Sequence, residues 1–164
     1  MYTIYIDPGL GGTGWAYFSS HSCCSETPEL PNAYGVLRGH AKETWIQQSN
    51  TIRHAFSFLL EKYTARQCVI EFPCLWSGSG LSQASASRGD LFKLAYLCGS
   101  LAAMCGIRGV RVELPSPQDW KGQLPKDVVI KRILRFFPEG TIIKDHEADA
   151  IGMGIAAQGA LCQK

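Results

Sequence analysis

Four side chains in this chain of 164 residues are spaced so that together they could bind divalent cations. Asp7 ends the alternating segment YTIYID, and Glu71 ends the apolar segment QCVIE. His146 and Asp149 lie three residues apart in KDHEADAIGMG, so on a helix they share one face. Gathering that much charge beside apolar residues costs desolvation and repulsion. Mg²⁺ or Mn²⁺ would turn the repulsion into ligation, because hard divalent ions prefer several oxygen ligands.

Each of these residues also has an ordinary structural explanation when it is taken alone. An aspartate that ends a strand before Pro-Gly is commonly a turn-former. Glu71 could be a satisfied carboxylate at a strand end, and His146 could cap a helix. The order of strand acid, strand acid and helix acid is what favours a common site over three separate explanations.

The elements that must position these residues follow from the hydrophobic periodicity. Three consecutive strands, followed by alternating strands and helices, predict an α/β sheet with helices on its faces. If the first and fourth strands are parallel neighbours, Asp7 and Glu71 emerge side by side at the edge where open α/β sheets place their sites. The predicted strands are 2–7, 12–19, 33–39, 67–73 and 109–115, and the predicted helices are 42–63, about 85–105, 126–137 and about 147–162.

Composition indicates one globular domain, 1–164, with 46% apolar and 18% charged residues. The net charge of +2 is modest, but residues 88–144 hold ten Lys or Arg against five acids. Acidic residues at a few points beside a basic stretch fit a cation site next to an anion-binding surface, although an ordinary solvated face remains an alternative.

The seven cysteines and the absence of a signal peptide predict a reduced, cytoplasmic protein. Cys68, Cys98, Cys105 and Cys162 lie in apolar patterns that are typical of small core residues. The cysteines near His21 match zinc-ligand spacing poorly. No apolar run is predicted to be long enough to span a membrane, so no membrane partner is expected.

Four segments, in order, resemble the motifs of RuvC-type Holliday-junction resolvases: IDPGLGGTGWA (6–16), VIEFP (69–73), PSPQDWKGQLPK (115–126) and HEADAIGMGIA (146–156). The resemblance spans nearly the whole chain. It implies a ribonuclease H-like fold with a five-stranded mixed sheet whose first three strands are antiparallel. It further implies a homodimer that cuts four-way DNA junctions by two symmetric nicks with divalent metal.

The metal-binding positions of that family correspond to Asp7, Glu71, His146 and Asp149. The third position is Asp in some members and His in others; Asp145 is the weaker candidate, because it lies four residues from Asp149. In two-metal hydrolysis one ion activates water and the other stabilises the leaving oxygen, with the ions about 4 Å apart. Asp7 would bridge two Mg²⁺ ions, for which Mn²⁺ would substitute. Whether His146 is a ligand or a proton shuttle stays open.

Basic and aromatic residues supply the candidate DNA contacts. Lys121 and Lys126 match basic positions of the family and would meet the phosphates, Lys121 at the catalytic centre; the alternative is a pair of solvated lysines at helix ends. Trp76 is preferred as a wedge into the junction, with core burial as its alternative, whereas Phe72 is predicted to start a buried turn. The remaining DNA-binding candidates are Arg88, Lys131 and Arg132.

The segment 91–106 is apolar on more than one face, which predicts burial in a core or against a partner. The resemblance implies that this helix forms the two-fold interface of the homodimer, which would present two metal sites to a junction of similar symmetry. Packing within one chain is the alternative.

Other functions fit parts of the sequence. The Gly-rich opening also occurs in actin-like ATPases, where such a hairpin cradles phosphates, and a protein that only binds branched DNA is conceivable. A nuclease of the same fold that acts on flaps, replication forks or RNA is the main alternative. The resolvase interpretation predicts a location at the nucleoid, or in the host cytoplasm for a viral protein. No role is predicted for the loop 20–32.

Overall fold

The computed structural model describes residues 2–19, 27–74 and 89–161. Trp76, Arg88, Cys162 and the loop cysteines Cys23 and Cys24 lie outside these described residues, so what was predicted for them stays a prediction. The strands are β1 (Thr3–Asp7), β2 (Thr13–Phe18), β3 (Ala33–Leu37), β4 (Gln67–Ile70) and β5 (Arg111–Glu113). The helices are α1 (Trp45–Tyr63), α2 (Asp90–Ile107), α3 (Pro117–Lys121), α4 (Lys126–Leu134) and α5 (Asp145–Ala157).

The five strands form one mixed sheet in the order β3-β2-β1-β4-β5. β1 pairs antiparallel with β2, and β2 with β3, while β4 is parallel to both β1 and β5. This arrangement confirms the predicted α/β class and the predicted parallel pairing of the first and fourth strands. It places the carboxyl ends of β1 and β4 side by side at one edge.

Both faces of the sheet are covered, which explains why β1 is buried at all five positions. Its alternating side chains point to opposite faces. Ile4 and Ile6 belong to a core that α1 and α2 complete, whereas Tyr5 belongs to a second core that α3, α4 and α5 complete. Cys68, Cys98 and Cys105 are buried in the first core, as predicted.

Helix α2 is apolar on two opposite faces, one buried and one exposed. Leu97 and Leu101 are fully buried in the first core. The opposite face carries a line of exposed residues at helical spacing, here called the α2 stripe: Phe92, Tyr96, Gly99, Ala103 and Ile107. The predicted core packing is therefore found on one side of the helix, and the predicted contact with a partner stays a prediction for the exposed side.

By length and composition α2 is long and apolar enough to cross a membrane, with 18 residues and a mean hydropathy of 1.4. The prediction that no segment reaches that threshold is wrong for this helix. Lipid exposure is not needed to explain its composition, since one face is packed in the core and carries part of the apolar content.

Helix α5 begins at Asp145, two residues before the predicted start. Glu147 explains the difference, because its Oε2 accepts a hydrogen bond of 2.8 Å from the backbone N–H of Lys144. That bond satisfies a donor that a helix start otherwise leaves free. His146 consequently lies in the first turn, and His146 and Asp149 share the helix face that their spacing predicts.

Candidate metal and nucleic-acid site

Asp7 and Glu71 meet at the carboxyl edge of the sheet. Ile6 is in register with Ile70 across the parallel strands, and the backbone N–H of Glu71 donates to the Ile6 carbonyl over 2.9 Å. The ladder therefore continues through Glu71, one residue past the end of β4. Asp7 is 7% exposed, and the Glu71 side chain is 14% exposed. Strand pairing alone thus fixes two poorly solvated carboxylates next to each other.

The first turn of α5 brings His146 and Asp149 to the same place. Nδ1 of His146 lies 2.8 Å from Oδ2 of Asp7, which joins the helix start to the end of β1. Asp149 is 6% exposed. The structure therefore brings together all four residues predicted from the sequence, and we call Asp7, Glu71, His146 and Asp149 the carboxylate site. Asp145, the weaker candidate, is 75% exposed at its side chain.

The glycines after Asp7 make room for His146. A Cβ at Gly14, which faces Asp7 across β1 and β2, would overlap the backbone carbonyl of His146. A Cβ at Gly9 would lie 3.1 Å from Cε1 of the imidazole and 2.6 Å from the carbonyl oxygen of Gly12. Thr13 closes the loop by donating to the Gly9 carbonyl over 2.9 Å. This loop packs against the helix that carries His146.

Two lysines lie among the carboxylates. Nζ of Lys121 lies 3.7 Å from Oε2 of Glu71 and 3.5 Å from Oδ1 of Asp149. Nζ of Lys126 lies 3.3 Å from Oδ2 of Asp149, so each oxygen of that carboxylate faces one ammonium group. The Lys121 side chain is only 18% exposed, which excludes the alternative of a solvated lysine at a helix end for this residue.

Burial is the main cause of the raised pKa values of the two acids at the strand ends. It raises the pKa of Glu71 to about 7; Lys121 opposes the rise, and the charges of Asp7 and Asp149 add to it. Burial also raises the pKa of Asp7, against the hydrogen bond from His146. That same hydrogen bond raises the pKa of His146. The site is thus short of positive charge for the carboxylates that it buries.

The donor set suits Mg²⁺ or Mn²⁺ in kind, because it offers three carboxylates and one imidazole, and burial raises the pKa of two of the carboxylates, those of Asp7 and Glu71. Among residues 2–19, 27–74 and 89–161, however, no three such side chains already surround a single point where a metal ion could sit. The lysines hold positions between the carboxylates instead. Metal binding would therefore require Lys121 and Lys126 to move outward.

The residues predicted to contact DNA differ in their exposure and in their contacts within the chain. Lys131 is 77% exposed at its side chain and lies on the outer face of α4. Arg132 donates from Nη1 to the carbonyl of Leu161 over 2.7 Å, which gives this residue a structural role that the sequence does not reveal. The prediction that Phe72 starts a buried turn is wrong, since this residue, directly after Glu71, is 37% exposed. Its backbone N–H bonds to the Pro115 carbonyl, which fixes the chain while the side chain faces outward.

Sequence reasoning did not single out Trp120, which is part of the site. Its Nε1 donates to Oε2 of Glu71 over 2.7 Å, and its ring lies under the ammonium group of Lys121 at 4.7 Å from the centroid. The available signal was its position directly before Lys121, in a segment that begins with a helix-capping Ser-Pro.

Comparison with solved structures identifies the fold. A structure of Thermus thermophilus RuvC superposes with a TM-score of 0.71 over 98% of this chain and 94% of that chain, at 17% sequence identity. The chain has the RuvC fold. The same protein in complex with a Holliday junction substrate gives a TM-score of 0.70 at 16% identity, over the same shares of both chains. The yeast mitochondrial Holliday junction resolvase gives 0.57 at 19% identity, over 97% of this chain and 79% of that chain.

The RuvC fold is ribonuclease H-like, which confirms the fold that the four motifs imply. No family model matches the sequence, and no curated protein matches it either. At these levels of identity the structural likeness establishes the fold, and the chemistry must be argued from the site itself.

Proposed function

We propose that this protein is a divalent-metal-dependent endonuclease that resolves four-way DNA junctions. The observation that carries the proposal is the carboxylate site: buried acids from two adjacent strand ends and from a helix start, neutralised only in part by lysines, at the functional edge of a RuvC fold. The two Thermus structures and the yeast protein are described as RuvC and as a Holliday junction resolvase, and one of them holds a junction substrate.

In the proposed mechanism the chain holds two Mg²⁺ ions through Asp7, Glu71, His146 and Asp149; the bound ions would supply an activated water and stabilise the leaving oxygen. Asp7 orients His146 through the 2.8 Å contact between Oδ2 and Nδ1. Lys121 and Lys126, displaced from the carboxylates, would face the phosphates of the DNA and offset their charge.

The α2 stripe supports the homodimer part of the proposal. Phe92 and Ile107, at its two ends, are 74% and 84% exposed, and an apolar line along a whole helix is typical of an interface. Gly99 and Ala103 between them allow a second helix to come close. A second copy of this chain is the proposed occupant, and a membrane is not, because core packing already fixes the other face of α2. The cytoplasmic location stays a proposal as well.

Surface residues near the site suit a branched polyanion. Lys126 and Lys131 lie on α4, and Lys126 reaches into the carboxylate site itself. Such lysines would position the backbone without reading sequence. Phe72 joins Trp76 as a candidate wedge at the crossover, because an exposed aromatic beside the catalytic acids could stack on an unpaired base.

The packing of the Gly-rich loop argues against an actin-like ATPase. The loop is closed by Thr13 and is in contact with His146, so its glycines serve the packing of the loop against α5. A same-fold nuclease that prefers flaps, forks or RNA remains the alternative, since substrate choice depends on surfaces around the site.

The experiment is cleavage of a labelled four-way junction in Mg²⁺ or Mn²⁺, beside a matched flap, fork, linear duplex and single-stranded RNA. We expect paired symmetric nicks in the junction, which Asp7→Asn and Asp149→Asn abolish while junction binding persists. Asp145→Asn is the matched control, because this neighbouring acid is exposed, and it should cut normally. Equal cutting of flaps would favour the alternative substrate, and no cutting of any nucleic acid would refute the nuclease.

A further inference from the structure

The indole of Trp120 is anchored from three directions. Trp120 lies in the short helix α3, whose start is fixed by Asp119: Oδ2 of that residue accepts hydrogen bonds from the backbone N–H and the hydroxyl of Ser116, at 2.7 and 2.8 Å. The side chain is 8% exposed and belongs to the second core. A Cβ at Gly152 of α5 would lie 2.8 Å from Cζ3 of the ring, so the indole packs where only glycine leaves enough room.

This anchored ring presents its only polar atom to the carboxylate site. A buried indole N–H needs an acceptor, and here the acceptor is Oε2 of Glu71 at 2.7 Å. The ring face holds the ammonium group of Lys121, which lies 3.7 Å from the same oxygen. One residue therefore contacts both Glu71 and the lysine that Glu71 shares with Asp149.

We infer that Trp120 is a positioning residue, which orients the Glu71 carboxylate for a divalent cation by holding Oε2 through its indole N–H. The Glu71 carboxylate needs a fixed hydrogen-bond donor of this kind. Asp7 and Asp149 repel it, and burial removes the water that would otherwise solvate it. Outer partners of this kind fix the direction of ligand oxygens, and removing them typically weakens metal binding by about 10- to 100-fold. The inference rests on the proposed metal site and deepens it.

The test is Mn²⁺ binding to the DNA-free protein, followed by the electron paramagnetic resonance of free Mn²⁺. Trp120→Phe keeps an aromatic ring against Gly152 but removes the N–H donor. We expect it to weaken Mn²⁺ binding about 10-fold. Trp45→Phe is the matched control, because Trp45 packs on Tyr96 of α2 and does not contact the carboxylates; its affinity should equal that of the unchanged protein.

Two further measurements separate positioning from loss of packing. 3-Benzothienylalanine at position 120 keeps the shape of the indole and replaces only the N–H, so it should weaken Mn²⁺ binding as much as Trp120→Phe does. In the ¹H–¹⁵N spectrum of the metal-free protein, Glu71→Gln should move the Trp120 indole resonance and leave that of Trp45 in place.

Unchanged Mn²⁺ affinity in either position-120 variant would overturn the inference. A Trp120 indole resonance that does not move in Glu71→Gln would also overturn it. If the unchanged protein binds no Mn²⁺ while the indole still responds to Glu71→Gln, the proposed metal site itself fails, and the positioning role fails with it.

Discussion

At the carboxylate site the chain buries charge, whereas along the α2 stripe it exposes large apolar side chains. Asp7 is 7% exposed and Phe92 is 74% exposed, which inverts the usual placement of both residue types. Each inversion costs free energy in the isolated chain. In the proposed function these costs have different partners to offset them: a cation and a phosphate backbone at the carboxylate site, and a second copy of the chain at the α2 stripe.

The largest expected effect comes from a substitution that disrupts the packing of Gly14 against His146. Gly14→Ala would place a methyl group on the His146 carbonyl, so α5 must move away from β2. We expect a loss of about 3 kcal/mol in the free energy of unfolding and no detectable cleavage. Gly11→Ala is the matched control, because nothing lies within 4 Å of the added Cβ. Urea denaturation of both variants checks this, and equal stability would contradict the account of the loop.

Removing a lysine tests whether the buried charge matters for catalysis. Lys121→Met keeps most of the side-chain volume but deprives Glu71 and Asp149 of their shared ammonium group. We expect single-turnover junction cleavage to slow by about 100-fold, the typical cost of losing one electrostatic contact at a reacting group. Lys42→Met, at an exposed lysine to which no DNA contact is assigned, should cut within a few-fold of the unchanged protein. Similar rates for both variants would remove Lys121 from the site.

The α2 stripe offers the opposite test, because its residues should matter for assembly and not for the fold. Phe92→Glu should leave the unfolding free energy of the monomer within about 0.5 kcal/mol. It should raise the dimer dissociation constant at least about 10-fold, which analytical ultracentrifugation measures. Ile142→Glu changes a residue that is 86% exposed outside the stripe and should leave assembly unchanged. A dimer that tolerates Phe92→Glu would place the interface elsewhere.

A smaller effect is expected from pH. Because burial raises the pKa of Glu71 to about 7, its carboxyl group still holds a proton below neutral pH, when an unfolded chain would have released it. This group therefore costs the metal-free protein stability as pH rises from about 4.5 to 7. A metal ion needs the ionised form, and the raised pKa of His146 acts in the same direction. Mn²⁺ affinity should rise about 10-fold between pH 6 and pH 8 by calorimetry, and Glu71→Gln should flatten that rise.

Much of the carboxylate site could be predicted from the sequence, because its causes are local. The alternation of YTIYID and the apolar run of QCVI predict two strands whose terminal acids, Asp7 and Glu71, meet if the strands pair in parallel. The three-residue spacing of His146 and Asp149 predicts a shared helix face. Strand pairing and helix geometry then bring the four residues together, as the structure confirms.

The features that escaped prediction depend on contacts between distant parts of the chain. Trp120 reaches Glu71 across 49 positions, and Arg132 reaches the Leu161 carbonyl across 29. The apolar periodicity of α2 could not tell which face lies in the core. The backbone of Phe72 is likewise held by a hydrogen bond to Pro115, 43 positions away, that no local pattern encodes.

The most direct test of the buried-charge account compares the unfolding of the unchanged protein with that of Asp7→Asn at pH 8, in EDTA and in Mn²⁺. Burial raises the pKa of Asp7, so the neutral amide should be the more stable form in EDTA. In Mn²⁺ the order should reverse, because only the carboxylate gains from the cation. If Asp7→Asn is the less stable protein in both conditions, or if Mn²⁺ stabilises both proteins equally, the carboxylates are not buried to hold a metal.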